Sequence, residues 1–163
     1  MKSGFGKSYL FSALSFLLVV VLSFALLGVA DALSALLWWG CLFLLGLVVL
    51  PFTLRLFEEF RDRGYLFGKT IGLALTGYLV WLLSSLRLVP FRVGTVWGAI
   101  ALVAVLAYVT GHGWQGAWKT VSGKDLDNNV SPLPAIWLRQ ETILLAALVF
   151  WAFLRGLKPE LAG

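Results

Sequence analysis

YLFSALSFLLVVVLSFALLGVADALSALLWWGCLFLLGLVVLPFTL, residues 9–54, carries one charged side chain, Asp31. Asp31 divides it into two apolar runs, 9–30 and 32–54. A lipid hydrocarbon core of roughly 30 Å takes about 20 apolar residues of helix, and in lipid a spanning segment must satisfy its own backbone hydrogen bonds. Both runs reach that length. Within the first, residues 16–27 are apolar on every face apart from Ser23, so no water-facing side remains for a globular helix. The reading is an integral membrane protein.

Three further runs, 70–86, 93–110 and 142–157, meet or approach the same length. The fold class expected is therefore all-α, an integral membrane bundle of about five transmembrane helices forming one membrane domain over 1–163. Composition agrees. Hydrophobic residues make up 60% of the chain and charged residues 13%, with a mean hydropathy of +0.91, whereas soluble chains carry about a quarter charged residues. Lys2 and Lys7 ahead of an apolar run ending Gly28, Val29, Ala30 imitate a signal peptide. That run exceeds the roughly 7 to 15 residues of a signal core, so an uncleaved first helix is expected.

The net charge of +5 does not form one basic stripe, which points to anionic headgroups rather than nucleic acid as counter-charge. Alternating the loops from a cytoplasmic N-terminus places Lys2, Lys7, Arg55, Arg61, Arg63, Lys69, Lys119, Lys124 and Arg139 inside. Only Arg87, Arg92, Arg155 and Lys158 fall outside. This bias predicts N-terminus in and C-terminus out, in the cell's inner (cytoplasmic) membrane. Trp38, Trp39, Trp97, Trp114, Trp118 and Trp137 fall near run ends or in the inner loop, as interfacial indoles do.

The gaps hold the remaining signals. In LRLFEEFRDRGY, residues 54–65, Leu56, Phe57 and Phe60 share a helical face, which predicts a continuation of helix two along the cytoplasmic interface within 55–69, stopped by Gly64. Pro51 is expected to kink that helix. Gly68 and Gly72, continued by Thr76, form a small-residue face for close approach of another helix.

Candidate chemistry is sparse. The polar stretch 111–138, read as a cytoplasmic loop, contains the sole histidine, His112, between two glycines. An imidazole there is either an interfacial residue or an axial ligand to a haem or chlorophyll. Asp125, Asp127, Asn128 and Asn129 resemble the start of a calcium loop, but its twelfth position is Ile136, which favours a polar turn over a metal site. Glu141 and Arg155 bracket the last run, the only other ligand-binding candidates and by default solvated or snorkelling. The lone Cys41 allows no internal disulfide or multi-cysteine metal site. No catalytic residue, metal site or resident cofactor is predicted.

One stretch resembles a known family. RDRGYLFGKTIGLALTGYLVWLLSSLRLVPF, residues 61–91, is similar to the N-terminal membrane region of the YYY-type integral membrane proteins, a prokaryotic family regarded as GT-C-like glycosyltransferases. The likeness centres on Arg63, Gly64, Tyr65, Phe67, Lys69, Gly72, Tyr78, Trp81 and Pro90. LPFTLRLF at 50–57 precedes it, and Glu141, Trp151, Arg155 and Pro159 follow. The resemblance implies sugar transfer from a lipid-linked donor, with a carboxylate motif E-x-x-M-D as the site. This sequence ends at Gly163 ahead of any such motif, so the implied catalytic part is absent from it.

Three functional classes follow. The first is a non-catalytic accessory subunit, packed with other integral membrane chains and lipid in a larger complex such as a photosynthetic or respiratory assembly. The second is an N-terminal or split module of a GT-C-like glycosyltransferase. A transporter component comes third, because permeation paths normally need ionisable groups inside the membrane and the sequence places almost none at mid-depth.

Overall fold

A computed structural model describes residues 3–111 and 133–157. Four helices account for nearly all of them: α1 (Ser3–Leu56), α2 (Tyr65–Ser85), α3 (Val93–Thr110) and α4 (Leu133–Leu157). All four are long and apolar enough to cross a membrane, so this is a multi-pass membrane protein in contact with the bilayer. His112, Trp114, Trp118, Lys119, Lys124, the Asp125 turn, Lys158 and Pro159 lie outside the described residues.

The chain divides into two compact units, residues 1–41 with 126–163, and residues 42–125. In the first, α1 is interrupted at Gly28, whose φ of 78° and ψ of 173° fall in a region essentially closed to other residues. A Cβ at Gly28 would meet nothing within 4 Å, so conformation rather than space demands glycine there. The break reverses the chain. The rings of Phe16 and Trp39 lie 5.3 Å apart, whereas 23 residues of straight helix would separate them by about 34 Å. Ser12, Ser23, Ala32, Ala35 and Ala135 are all buried, and such small side chains let helices approach closely.

The second unit packs the rest of α1 against α2 and α3. Val49, Leu50, Thr53 and Leu54 of α1 are buried, as are Val80 of α2 and Ala99, Val103 and Ala107 of α3. Gly68, Gly72 and Thr76 form the buried stripe of α2. A Cβ on Gly72 would come within 2.7 Å of the Leu45 carbonyl oxygen, and one on Gly68 within 3.5 Å of the Gly46 oxygen. Arg55 donates from Nη1 to the Thr110 carbonyl at 2.7 Å, placing a cation on the C-terminal end of α3, where the helix dipole favours it.

Several sequence expectations change. No interfacial helix occupies 55–69: α1 ends at Leu56, residues 57–64 form turns, and α2 already starts at Tyr65. Arg63 and Gly64 take consecutive left-handed conformations (φ 52° and 73°), and the Gly64 N–H donates to Asp62 Oδ1. Phe57 stacks on Phe67 at 5.3 Å and meets Phe60 edge-on, so the aromatics hold a turn instead of lining a helical face. Gly64 thus precedes α2 rather than stopping a continuation of helix two. Pro51 keeps helical dihedrals, and the break in α1 falls at Gly28. The last helix begins at Leu133, not at 142, so residues 133–138 are helix rather than polar loop.

Candidate functional site

The extended start of α4 carries Arg139, Gln140 and Glu141 inside a helix, where hydropathy alone reads a loop. Partners in the same unit meet Arg139 and Glu141. Trp39 Nε1 donates to Glu141 Oε2 at 2.8 Å, and Arg139 Nε donates to Ser12 Oγ at 3.3 Å. Glu141 is only 3% exposed and lies eight residues into α4, on the order of 12 Å from its start. The default reading of Glu141 as a solvated helix-end charge is therefore corrected: it is a buried carboxylate with an indole donor. Trp39 is half-buried, with its ring on Phe16 and its N–H on Glu141. Neighbouring Trp38 is 66% exposed.

The second unit holds a buried cation. Lys69 is 5% exposed, four residues into α2, with Nζ 4.7 Å from the centre of the Tyr65 ring and 5.4 Å from that of Phe43. Tyr65 precedes Lys69 by one helical turn, which sets ring and ammonium on one face. Gly46 makes room for the stem, since a Cβ there would stand 3.0 Å from Lys69 Cγ. The cation–π geometry offsets part of the cost of desolvating an ammonium. Lys69 is thus packed within the unit rather than free in a cytoplasmic loop. Glu141, deeper in its helix, is an exception to the expectation that almost no ionisable group lies at mid-depth, whereas Lys69 sits one turn from the start of α2.

No family model, curated protein or solved structure matches this chain.

The residues that carry the resemblance nonetheless have definite places. Arg63 and Gly64 make the left-handed turn, Tyr65 and Lys69 form the cation–ring contact, Phe67 stacks on Phe57, and Gly72 lies against α1. Tyr78 and Trp81 are more than half exposed and lie 5.9 Å apart, ring centre to ring centre. Arg155, in the last turn of α4, lines a groove with Asp31, Trp38 and Trp151. Trp97 of α3 is 65% exposed, while Trp137 of α4 is half-buried. Among the described residues no group of three or more His, Cys, Asp or Glu is arranged to hold a metal ion.

Sequence reasoning missed Trp39 as the partner of Glu141 and Gly46 as the space for Lys69. A signal for the second exists in principle, because Gly46 is a small residue in a bulky apolar run. Nothing local to Trp39 announces a partner 102 positions away.

Proposed function

We propose that this chain is a non-catalytic integral membrane subunit, a five-crossing framework that packs against other membrane chains in a larger assembly of the inner membrane. The observation that carries the proposal is the open face of α3. Gly94 and Gly98, four residues apart, would meet nothing within 4 Å if given a Cβ, and Ala101 and Val105 continue the exposed stripe. The opposite stripe, Ala99, Val103 and Ala107, is already used inside the unit. A glycine pair facing outward at helical spacing favours a second helix over bulky lipid tails, because backbones approach closely there.

Five crossings follow from counting α1 twice. Its apolar length of 48 residues would extend about 72 Å as one helix, more than double the hydrocarbon core. The reversal at Gly28 divides it into two lengths that each fit. The excess of basic residues in the gaps assigned to the inside then favours N-terminus in and C-terminus out.

The test is purification from the native membrane in mild detergent, with mass spectrometry of co-purifying chains. A stoichiometric membrane partner is expected, and Gly94→Leu with Gly98→Leu is expected to release it while leaving helix content unchanged. A lone wild-type monomer defeats the proposal.

The membrane module of a YYY-type, GT-C-like glycosyltransferase is the second reading, favoured by the turn built from Arg63, Gly64 and Tyr65. A co-purifying chain bearing the carboxylate motif would promote it. Transport ranks third. Buried Glu141 weakens the argument from a lack of mid-depth charges, yet its side chain is engaged by Trp39 in its own unit.

A further inference from the structure

A groove of about 630 Å³ runs between two helical faces of the first unit. Asp31, Ser34 and Trp38 line it from α1 at i, i+3 and i+7, and Leu148, Trp151 and Arg155 line it from α4 with the same spacing. With Trp39 bonded to Glu141, the joint lining of the groove by residues 31–38 and 148–156 requires the two faces to run in opposite directions. Asp31 lies eight residues from Trp39 toward the Gly28 reversal, and Arg155 lies in the last turn of α4, fourteen residues beyond Glu141. Both charges therefore sit toward one end of the groove, and Trp38 and Leu148 lie two turns deeper, on the order of 10 Å.

The charges are opposite, line the same groove, and no ion pair joins them among the described residues. An isolated surface ion pair would need no groove, and an apolar groove facing lipid tails would need no charges. We infer that this groove binds a zwitterionic phospholipid with a primary ammonium, of the phosphatidylethanolamine class. The lipid phosphate meets the Arg155 guanidinium, whose planar fork suits two phosphate oxygens. The ammonium meets the Asp31 carboxylate. Ser34 Oγ adds an acceptor, because its own proton is donated to the Ala30 carbonyl at 3.0 Å and its lone pairs remain. The indole of Trp151, one turn from Arg155 and 69% exposed, flanks the glycerol level, where amphipathic rings prefer to lie, and that of Trp38, 66% exposed, lies deeper against the acyl chains. Ala35, Ala152 and Gly156 leave the width between them.

The same chemistry sets the selectivity. Phosphatidylcholine offers no N–H to Asp31 or Ser34, and phosphatidylglycerol offers no cation, leaving Asp31 facing an anionic headgroup.

The test uses the full chain reconstituted in nanodiscs containing equal amounts of phosphatidylethanolamine, phosphatidylglycerol and phosphatidylcholine, followed by native mass spectrometry of the lipid retained in detergent. Wild type is expected to retain phosphatidylethanolamine roughly ten-fold over either competitor, the scale of one charge-assisted hydrogen bond. Asp31→Asn should bring phosphatidylethanolamine and phosphatidylglycerol to near parity, and Arg155→Gln should lower retention of all three. Equal retention by wild type, or profiles unchanged in both variants, overturns the inference. A photoactivatable phosphatidylethanolamine headgroup gives an answer that needs no variant. Adducts confined to residues 31–38 and 148–156 support the site, and adducts scattered over all helices refute it.

Discussion

Gly111→Ala is expected to destabilise the protein by about 3 kcal/mol, the upper end of what overpacking by a methyl group costs. Gly111 caps the C-terminus of α3 with an ordinary φ of −83°, so alanine meets no conformational penalty there. The objection is steric. The new Cβ would stand 2.7 Å from Pro51 Cβ and closer still to the Pro51 carbonyl, and backbone cannot rotate away as a side chain can. Relief requires the end of α3 to withdraw from α1, which also strains the Arg55 bond to Thr110. Gly72→Ala meets the Leu45 carbonyl oxygen at 2.7 Å and should cost somewhat less, about 2 kcal/mol. Gly68→Ala reverses the sign. Its Cβ finds ordinary contacts at 3.5 and 3.6 Å, and alanine is about 1 kcal/mol the better helix former. Chemical unfolding in detergent, followed by circular dichroism, should rank the stabilities Gly68→Ala at or above wild type, then Gly72→Ala, then Gly111→Ala. An unaltered transition for Gly111→Ala would show that α1 and α3 do not meet at Pro51.

Glu141→Ala carries the second large effect, a loss of about 3 kcal/mol. Truncation removes a charge-assisted acceptor from Trp39 Nε1 and leaves a gap at a site only 3% exposed. Glu141→Gln keeps an oxygen in place for the indole and should lose about 1 kcal/mol. Trp39→Phe removes the donor while keeping most of the ring that packs on Phe16. A double-mutant cycle between Trp39→Phe and Glu141→Gln isolates the pair, with a coupling of about 1 kcal/mol expected. Strict additivity in detergent unfolding would mean that residues 39 and 141 do not interact.

The membrane class is legible from residues 9–54 alone, because length and a near-absence of charge, with Asp31 between the two runs, are what a span requires. α3 covers Val93–Thr110, the same residues as the fourth apolar run, because Arg92 and Gly111 bound it and nothing polar intrudes. Elsewhere the outcome depended on partners distant in sequence. Hydropathy scores Arg139, Gln140 and Glu141 as loop, since it cannot register that Ser12 and Trp39 receive two of them. Lys69 likewise counts as a loop cation until Gly46 supplies the space and Phe43 and Tyr65 the ring faces. The turn at 57–64 differs from the helix expected there for a related reason. A run with hydrophobic residues at helical spacing favours helix, but the stacking of Phe57 on Phe67 ties it to the next element and bends it. Glu141 and Arg155 were visible as candidates, but their roles as buried hydrogen-bond partner and groove wall required the fold.

The proposed five crossings depend on the reversal at Gly28, which the side of the membrane on which residue 30 lies tests most directly. In a Cys41→Ser background, single cysteines replace Ala30 and Glu59, and intact cells are treated with a membrane-impermeant thiol reagent. Reaction of Ala30→Cys from outside is expected, with Glu59→Cys reacting only after permeabilisation. Labelling of both from the same side would contradict a chain that crosses, turns at Gly28 and crosses again.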